Sequence, residues 1–251
     1  MIDRATAVER IPAIGHDEAM QLATVEWERL LSVVDDLQAE QWLRPTDCPD
    51  WNVKEMLAHL LGMLELQSDG EERMRQFKLA TGSAEQTGGR RLDAMTALQV
   101  REHASLSADA VRCALHDAVP RGLAGRRATT VEERAAPYSS GLPGEDAWTF
   151  GYLFDIILTR DPWVHRVDIC RAVGRAMELS PDHDGRIVAD VVADWARRHG
   201  QPFTLSLSGP AGDQFSAGTG GSHLELDAVE FCRILSGRAP GSGLLATSVP
   251  F

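Results

Sequence analysis

Helical periodicity fills the first 175 positions of this 251-residue sequence and then stops, and that boundary constrains the fold more than any other feature. In "DEAMQLATVEWERLLSVVDDL", residues 17–37, Leu22, Val25, Leu30, Val33 and Val34 recur close to every 3.6 positions. A turn-rich connector follows, because Pro45 and Pro49 disfavour continuing the helix. "CPDWNVKEMLAHLLGM", residues 48–63, then carries its own start signal. Asn52 is a helix N-cap, and Glu55 three positions later suits the reciprocal bond of a capping box. Val53, Leu57, Leu60, Leu61 and Leu64 form one apolar face, and His59 falls at its edge beside Met56 and Met63. "SDGEERMRQFKLATGS" continues helically up to a Gly-rich break at 82–89. Residues 90–119 and 147–175 are further helical stretches, and Pro120 to Asp146, with three prolines and several glycines, is expected to be an extended loop.

The pattern changes beyond "MELSPDHDGR". A helix, "IVADVVADWARRHG", leads into the strand-like alternation of "FTLSLSG". Short strands are expected at "QFSAG" and "HLELD". "DAVEFCRILSGR" returns to helix, with Asp227 and Glu230 as a second capping box and Gly237 at its end. The expected architecture is mainly α: a four-helix unit over 1–180, then a small α+β domain over 185–251, with no internal repeat.

Charge narrows the range of partners. A formal net charge of −12 argues against nucleic-acid and anionic-membrane surfaces, which need clustered Lys and Arg. No apolar run approaches the roughly 18–20 residues that cross a bilayer. The N-terminal stretch has acidic residues and no apolar core of a secretory signal, so a cytoplasmic protein is expected. Cys48, Cys113, Cys170 and Cys232 are widely spaced, without a C-x-x-C pair, and read as small buried hydrophobes rather than zinc ligands.

"RDPWVHRVDIC" carries the chemistry. Asp161 and His165 are four apart and lie one above the other on a helix face. A carboxylate and an imidazole so placed can bind one divalent metal. Asp168, three further along, is a candidate either to orient an imidazole or to act as a nearby base. With His59 the set becomes His/His/carboxylate, and three protein ligands leave a fourth position open, the catalytic zinc pattern. Taken singly, a D-x-x-x-H pair and a lone histidine are commonly structural, and Asp161 could instead help cap the turn before Pro162. His16, His103, His116, His183, His199 and His223 stand in polar or loop contexts and read as surface residues. Trp42, Trp51 and Trp163 read as core packing, with Trp51 placed to staple the capped helix.

"WLRPTDCPDWNVKEMLAHL" followed much later by "DPWVHRVDICRA" resembles the DinB-like superfamily, and within it the mycothiol-dependent maleylpyruvate isomerase family. "LELDAVEFCRILSGRAPGSGLLATSVPF" is similar to the small C-terminal domain that accompanies that four-helix unit. The resemblance implies a DinB-like bundle whose metal ligands are His59, Asp161 and His165. It departs from the family's E-x-x-x-H pair at Asp161, which is one methylene shorter. It implies Zn²⁺, or another divalent metal such as Ni²⁺, with mycothiol as thiol cosubstrate and a small electrophile as substrate. The thiol would add to, or be transferred onto, that electrophile. Anionic substrates call for arginine: Arg166 and Arg171 flank the site helix, and Arg238 after the last helix is a candidate to meet a substrate carboxylate. The alternatives are a metal- or small-ligand-binding protein without turnover, and a helical domain whose site has decayed. Nothing in the sequence fixes the oligomeric state.

Overall fold

The computed structural model describes residues 5–138 and 148–251. In chain order the elements are β1 (Thr6–Ala7), α1 (His16–Asp35), α2 (Val53–Ser68), α3 (Gly70–Thr87), α4 (Arg91–His103), α5 (Ala108–Arg127), α6 (Val131–Ala135), β2 (Pro137–Tyr138), β3 (Trp148–Thr149), α7 (Leu158–Val173), α8 (Arg186–His199), β4 (Phe203–Ser208), β5 (Gln214–Ala217), β6 (Ser222–Asp227) and α9 (Ala228–Leu235). They form two compact units: His16–Ala176, which is helical, and a smaller α+β unit of Met177–Phe251 joined by Met1–Gly15.

In the helical unit α1, α2, α5 and α7 pack as a four-helix bundle, and α3 and α4 form a pair laid against α2. The capping box that opens α2 is present in both directions. The Asn52 side chain accepts from the Glu55 amide, and Glu55 accepts from the Asn52 amide. The expected apolar face is the buried one: Val53, Leu57, Leu60, Leu61 and Leu64 lie in the core.

Several expected boundaries move. Helix α3 runs through Gly82 to Thr87, so the Gly-rich break is confined to Gly88, which takes a left-handed conformation at φ +69°, and Gly89. The stretch 90–119 is two helices, because the Ser107 hydroxyl accepts from the Ala110 amide and starts α5 afresh. Helix α5 then continues to Arg127 through Pro120, where a loop was expected, and Thr130 caps the short α6 with a further capping box. Pro120 and His116, four positions earlier, are both exposed, so the missing backbone bond falls on a solvent-facing side where water replaces it. The remainder of the expected loop, residues 139–146, lies outside the described residues.

The α+β unit carries the expected strands in a sheet of order β1-β5-β4-β6. β4 is antiparallel to β5 and parallel to β6, with Leu205 opposite both Phe215 and Leu224. Strand β1 adds parallel to β5 through Thr6 and Ala7, a pairing with no signal in the sequence. The alternation read in β4 buries Phe203, Leu205 and Leu207. The Trp195 ring of α8 sits between Phe203 and Phe231, at centroid distances of 4.8 and 5.3 Å. At α9 only half of the expected box forms: Asp227 accepts from the Val229 and Glu230 amides, while Glu230 accepts from Arg233. Among the described residues no helix is long and apolar enough to cross a membrane.

The bundle is tightest where α5 crosses α2. A Cβ at Gly125 would fall far inside contact with the Gln67 carbonyl and 2.9 Å from the Ser68 Cα, both of them backbone that cannot step aside. At Gly82, by contrast, nothing lies within 4 Å. Gly125→Ala should lower unfolding stability by about 1–3 kcal/mol through overpacking. Gly82→Ala should raise it by up to about 1 kcal/mol through helix propensity. Urea denaturation of the two variants checks the opposite signs.

Candidate metal centre

His59 stands on α2 with Met56 and Leu60 buried on either side of it, and it is itself only 3% exposed. Asp161 and His165 stand on α7, one turn apart. The structure brings the three together. The Asp161 Oδ1 lies 3.3 Å from the His165 Nε2 and 3.5 Å from the His59 Nε2, and all three atoms fall within 4.8 Å of one another. Bonds of about 2.0–2.1 Å at tetrahedral angles give ligand-to-ligand edges of about 3.3 Å. The donor set and the two Asp161–imidazole edges therefore fit one divalent cation. Burial alone would raise the Asp161 carboxyl, but the facing imidazoles of His165 and His59 outweigh it and hold the group well below the usual carboxylate range. Asp161 is accordingly an anion at neutral pH. Its shorter arm, compared with a glutamate, still reaches both imidazoles.

The far nitrogen of each imidazole is engaged. The His165 Nδ1 lies 3.1 Å from the Asp168 Oδ2, and the His59 Nδ1 lies 2.7 Å from the Gln99 Oε1. A donor bond from Nδ1–H to an oxygen fixes the tautomer that leaves Nε2 with its lone pair facing the cluster. Asp168 is fully buried and stands behind His165 relative to Asp161. The half-buried Cys48 adds a weak S–H bond to the same Asp168 oxygen at 3.9 Å, so Cys48, His165 and Asp168 form a second close group of potential ligands. Trp51, half-buried rather than in the core, lies against both imidazoles, with ring centroids 5.0 Å from His59 and 6.0 Å from His165. Trp42 and Trp163 are core residues as expected.

Other expectations change. Arg166 is buried in a bidentate pair with Glu26, at 2.6 and 2.9 Å, so it does not offer its charge to an anion. Arg171 pairs with Asp47 at 2.8 Å on the surface. Arg238 belongs to the α+β unit, where its amide donates to the Arg233 carbonyl. His103 and His183 are buried, not on the surface. His103 bridges the Gln99 carbonyl and Glu65, and the Glu65 bond outweighs burial to raise its pKa. Cys113 is exposed, whereas Cys170 and Cys232 are buried.

The site end of α7 needs support that the sequence does not announce. Pro162, directly after Asp161, lacks the amide hydrogen that would bond the Leu158 carbonyl, and here the gap is buried. Arg126 fills it from α5: its Nη1 donates to the Leu158 carbonyl at 2.9 Å and its Nη2 to the Thr159 Oγ1 at 2.7 Å. Upstream, Tyr152–Ile157 form wider, π-type turns, and the Thr159 hydroxyl donates back to the Asp155 carbonyl. Burial lowers the Arg126 guanidinium to about 10, which leaves it cationic at neutral pH. Arg126→Met should cost about 2–4 kcal/mol, because it leaves two buried acceptors without donors. Pro162→Ala returns the missing amide, so the double variant should recover part of that loss. A double-mutant cycle in denaturant measures the coupling.

The mycothiol maleylpyruvate isomerase N-terminal domain model matches residues 23–170. The crystal structure of the mycothiol-dependent maleylpyruvate isomerase is similar over 93% of this chain and 92% of its own, with a TM-score of 0.60 at 15% identity. A histidine-to-alanine mutant of that isomerase gives 0.59 with the same identity and coverage. No curated protein sequence matches the chain. At 15% identity the crystal structures speak for a shared fold, whereas the domain match spans more than half of the sequence. On that match, the chain belongs to the mycothiol maleylpyruvate isomerase family.

Proposed function

We propose that this protein is a cytoplasmic, metal-dependent enzyme that uses mycothiol to isomerise, or to transfer the thiol onto, a small electrophile. The observation that carries the reading is that the His59 Nε2 and the His165 Nε2 lie 3.5 and 3.3 Å from the Asp161 Oδ1 in a buried site. Zinc is the favoured metal on family habit, and nickel suits the same donors. When bound, a divalent cation with one open position would supply a 2+ charge that favours thiolate over thiol.

The chain's own groups have separate tasks. His59 and His165 would hold a cation through Nε2. Asp161 would offset one unit of that cation's charge, leaving a net positive site that favours a thiolate. Asp168 keeps the His165 ring in place through Nδ1. Trp51 lies over both rings and shields them on that side. Arg238 is the proposed partner for a substrate carboxylate, on the strength of its planar, permanently charged fork. The reaction class is addition of the thiol across an activated double bond, rotation about the resulting single bond, and loss of the same thiol. A transferase would instead displace a leaving group and keep the new C–S bond.

Zinc-loaded protein should hold one equivalent of metal, and His59→Ala, Asp161→Ala and His165→Ala should each lose it while the helical circular dichroism persists. Unchanged metal content in all three would contradict the reading. Loaded protein should consume or recycle mycothiol with maleylpyruvate or another activated electrophile. Metal without any turnover over a broad panel would favour a binding protein. Arg238→Gln should raise KM for anionic electrophiles with little change for neutral ones, as steady-state kinetics would report.

A further inference from the structure

Behind His59, three buried amide and carbonyl groups from three helices are joined in a line. Gln99 of α4 and Gln76 of α3 are both fully buried, which is rare for glutamine in a helical core. The Gln99 Oε1 lies 2.7 Å from the His59 Nδ1, and the Gln99 Nε2 donates to the Gln76 Oε1 at 2.9 Å and to the Met63 Sδ at 3.0 Å. The Gln76 Nε2 donates to the Gly62 carbonyl at 3.1 Å and to the Glu72 Oε1 at 2.9 Å. Glu72 is gripped in turn by Arg75, which also binds Glu102.

The chemistry of the far end sets the direction of the whole line. A backbone carbonyl and an ionised carboxylate can only accept, so the Gln76 amide must turn its NH₂ toward Gly62 and Glu72. The Arg75 guanidinium holds the Glu72 carboxyl below its ordinary value, which keeps that end an acceptor. Gln76 therefore presents its oxygen to Gln99. The thioether of Met63 likewise accepts and cannot donate. Gln99 must then give its NH₂ to Gln76 and Met63 and turn its oxygen to His59. An oxygen at 2.7 Å requires a proton on the His59 Nδ1, which leaves Nε2 as the lone-pair nitrogen facing Asp161. The reverse orientation of either amide would set two oxygens against each other in a dry interior.

Room for the line is built into α2. A Cβ at position 62 would come within 2.5 Å of the Gln99 Cγ and 2.7 Å of its Cβ, so only glycine lets α4 bring this side chain beside His59. We infer that Gln99, oriented by Gln76 and admitted by Gly62, is a positioning residue that fixes the tautomer and ring orientation of His59. The inference rests on the metal-centre reading above, and it assigns the role to a pair of amides that makes no contact with the metal position.

The test uses the full chain and zinc alone. Competition titration against a chromophoric chelator gives zinc affinity for the parent, Gln99→Leu, Gln76→Leu, Gly62→Ala and Gln99→Glu. The expected result is a 10–100-fold loss in Gln99→Leu, a smaller loss in Gln76→Leu and Gly62→Ala, and an affinity between those of Gln99→Leu and the parent in Gln99→Glu, whose carboxylate still accepts from Nδ1 but sets its second oxygen against the Gln76 Oε1. Long-range ¹H–¹⁵N spectra of the zinc-loaded parent should show the His59 Nδ1 protonated and Nε2 coordinated, which a purely structural role for Gln99 would not require. Parent-like affinity in Gln99→Leu, or zinc on the His59 Nδ1, overturns the inference while leaving the metal centre standing. A parent chain that binds no zinc overturns both.

Discussion

A carboxylate and two imidazoles buried within 4.8 Å of one another are unfavourable company in an apolar bundle unless a positive charge joins them. The His59–Asp161–His165 cluster is the constraint to which the neighbouring structure is fitted. It dictates that α2 and α7 present their polar edges to each other. It requires that each imidazole spend its second nitrogen elsewhere, on Gln99 and Asp168. It also explains why polar residues that would otherwise burden a core, among them Gln76, Gln99 and Asp168, stand fully buried around it.

Holding that cluster in register is a problem of helix ends and helix faults. Helix α2 begins at a box that fixes its first turn, so His59 is reached after a defined number of turns. Helix α7 begins on wide turns and meets a proline one residue past Asp161, which removes a backbone bond where no water can replace it. Arg126 mends that fault from α5, and α5 in turn approaches α2 closely at Gly125. The bundle thus supports its polar centre through specific donors at specific faults, in addition to the burial of Leu and Val.

What could be read in the sequence had local causes. The Asn52–Glu55 box, the apolar face of α2, the D-x-x-x-H spacing on α7 and the alternation in β4 are short-range patterns. What escaped was set by tertiary context. Pro120 looked like the start of a loop, yet on an exposed helix face its missing hydrogen bond is satisfied by water. The divisions between α3, α4 and α5 depend on single caps such as Ser107, hidden inside a continuous helical composition. Gln76 and Gln99 look like ordinary surface glutamines until the fold aims them at His59. Gly62, in "HLLGM", reads as a weak spot in a helix, and its purpose appears only with Gln99 beside it. Strand β1 pairs with a segment two hundred residues away, which no local signal could announce. Arg166 looked like an anion binder for want of any sign of its distant partner, Glu26.

Direct measurement of the metal's neighbours tests the account at its root. X-ray absorption of the zinc-loaded protein should show only nitrogen and oxygen at about 2.0–2.1 Å, with the outer-shell scattering of two imidazoles. A sulfur shell near 2.3 Å, which would place Cys48 on the metal, or outer-shell scattering from fewer than two imidazoles, would contradict it.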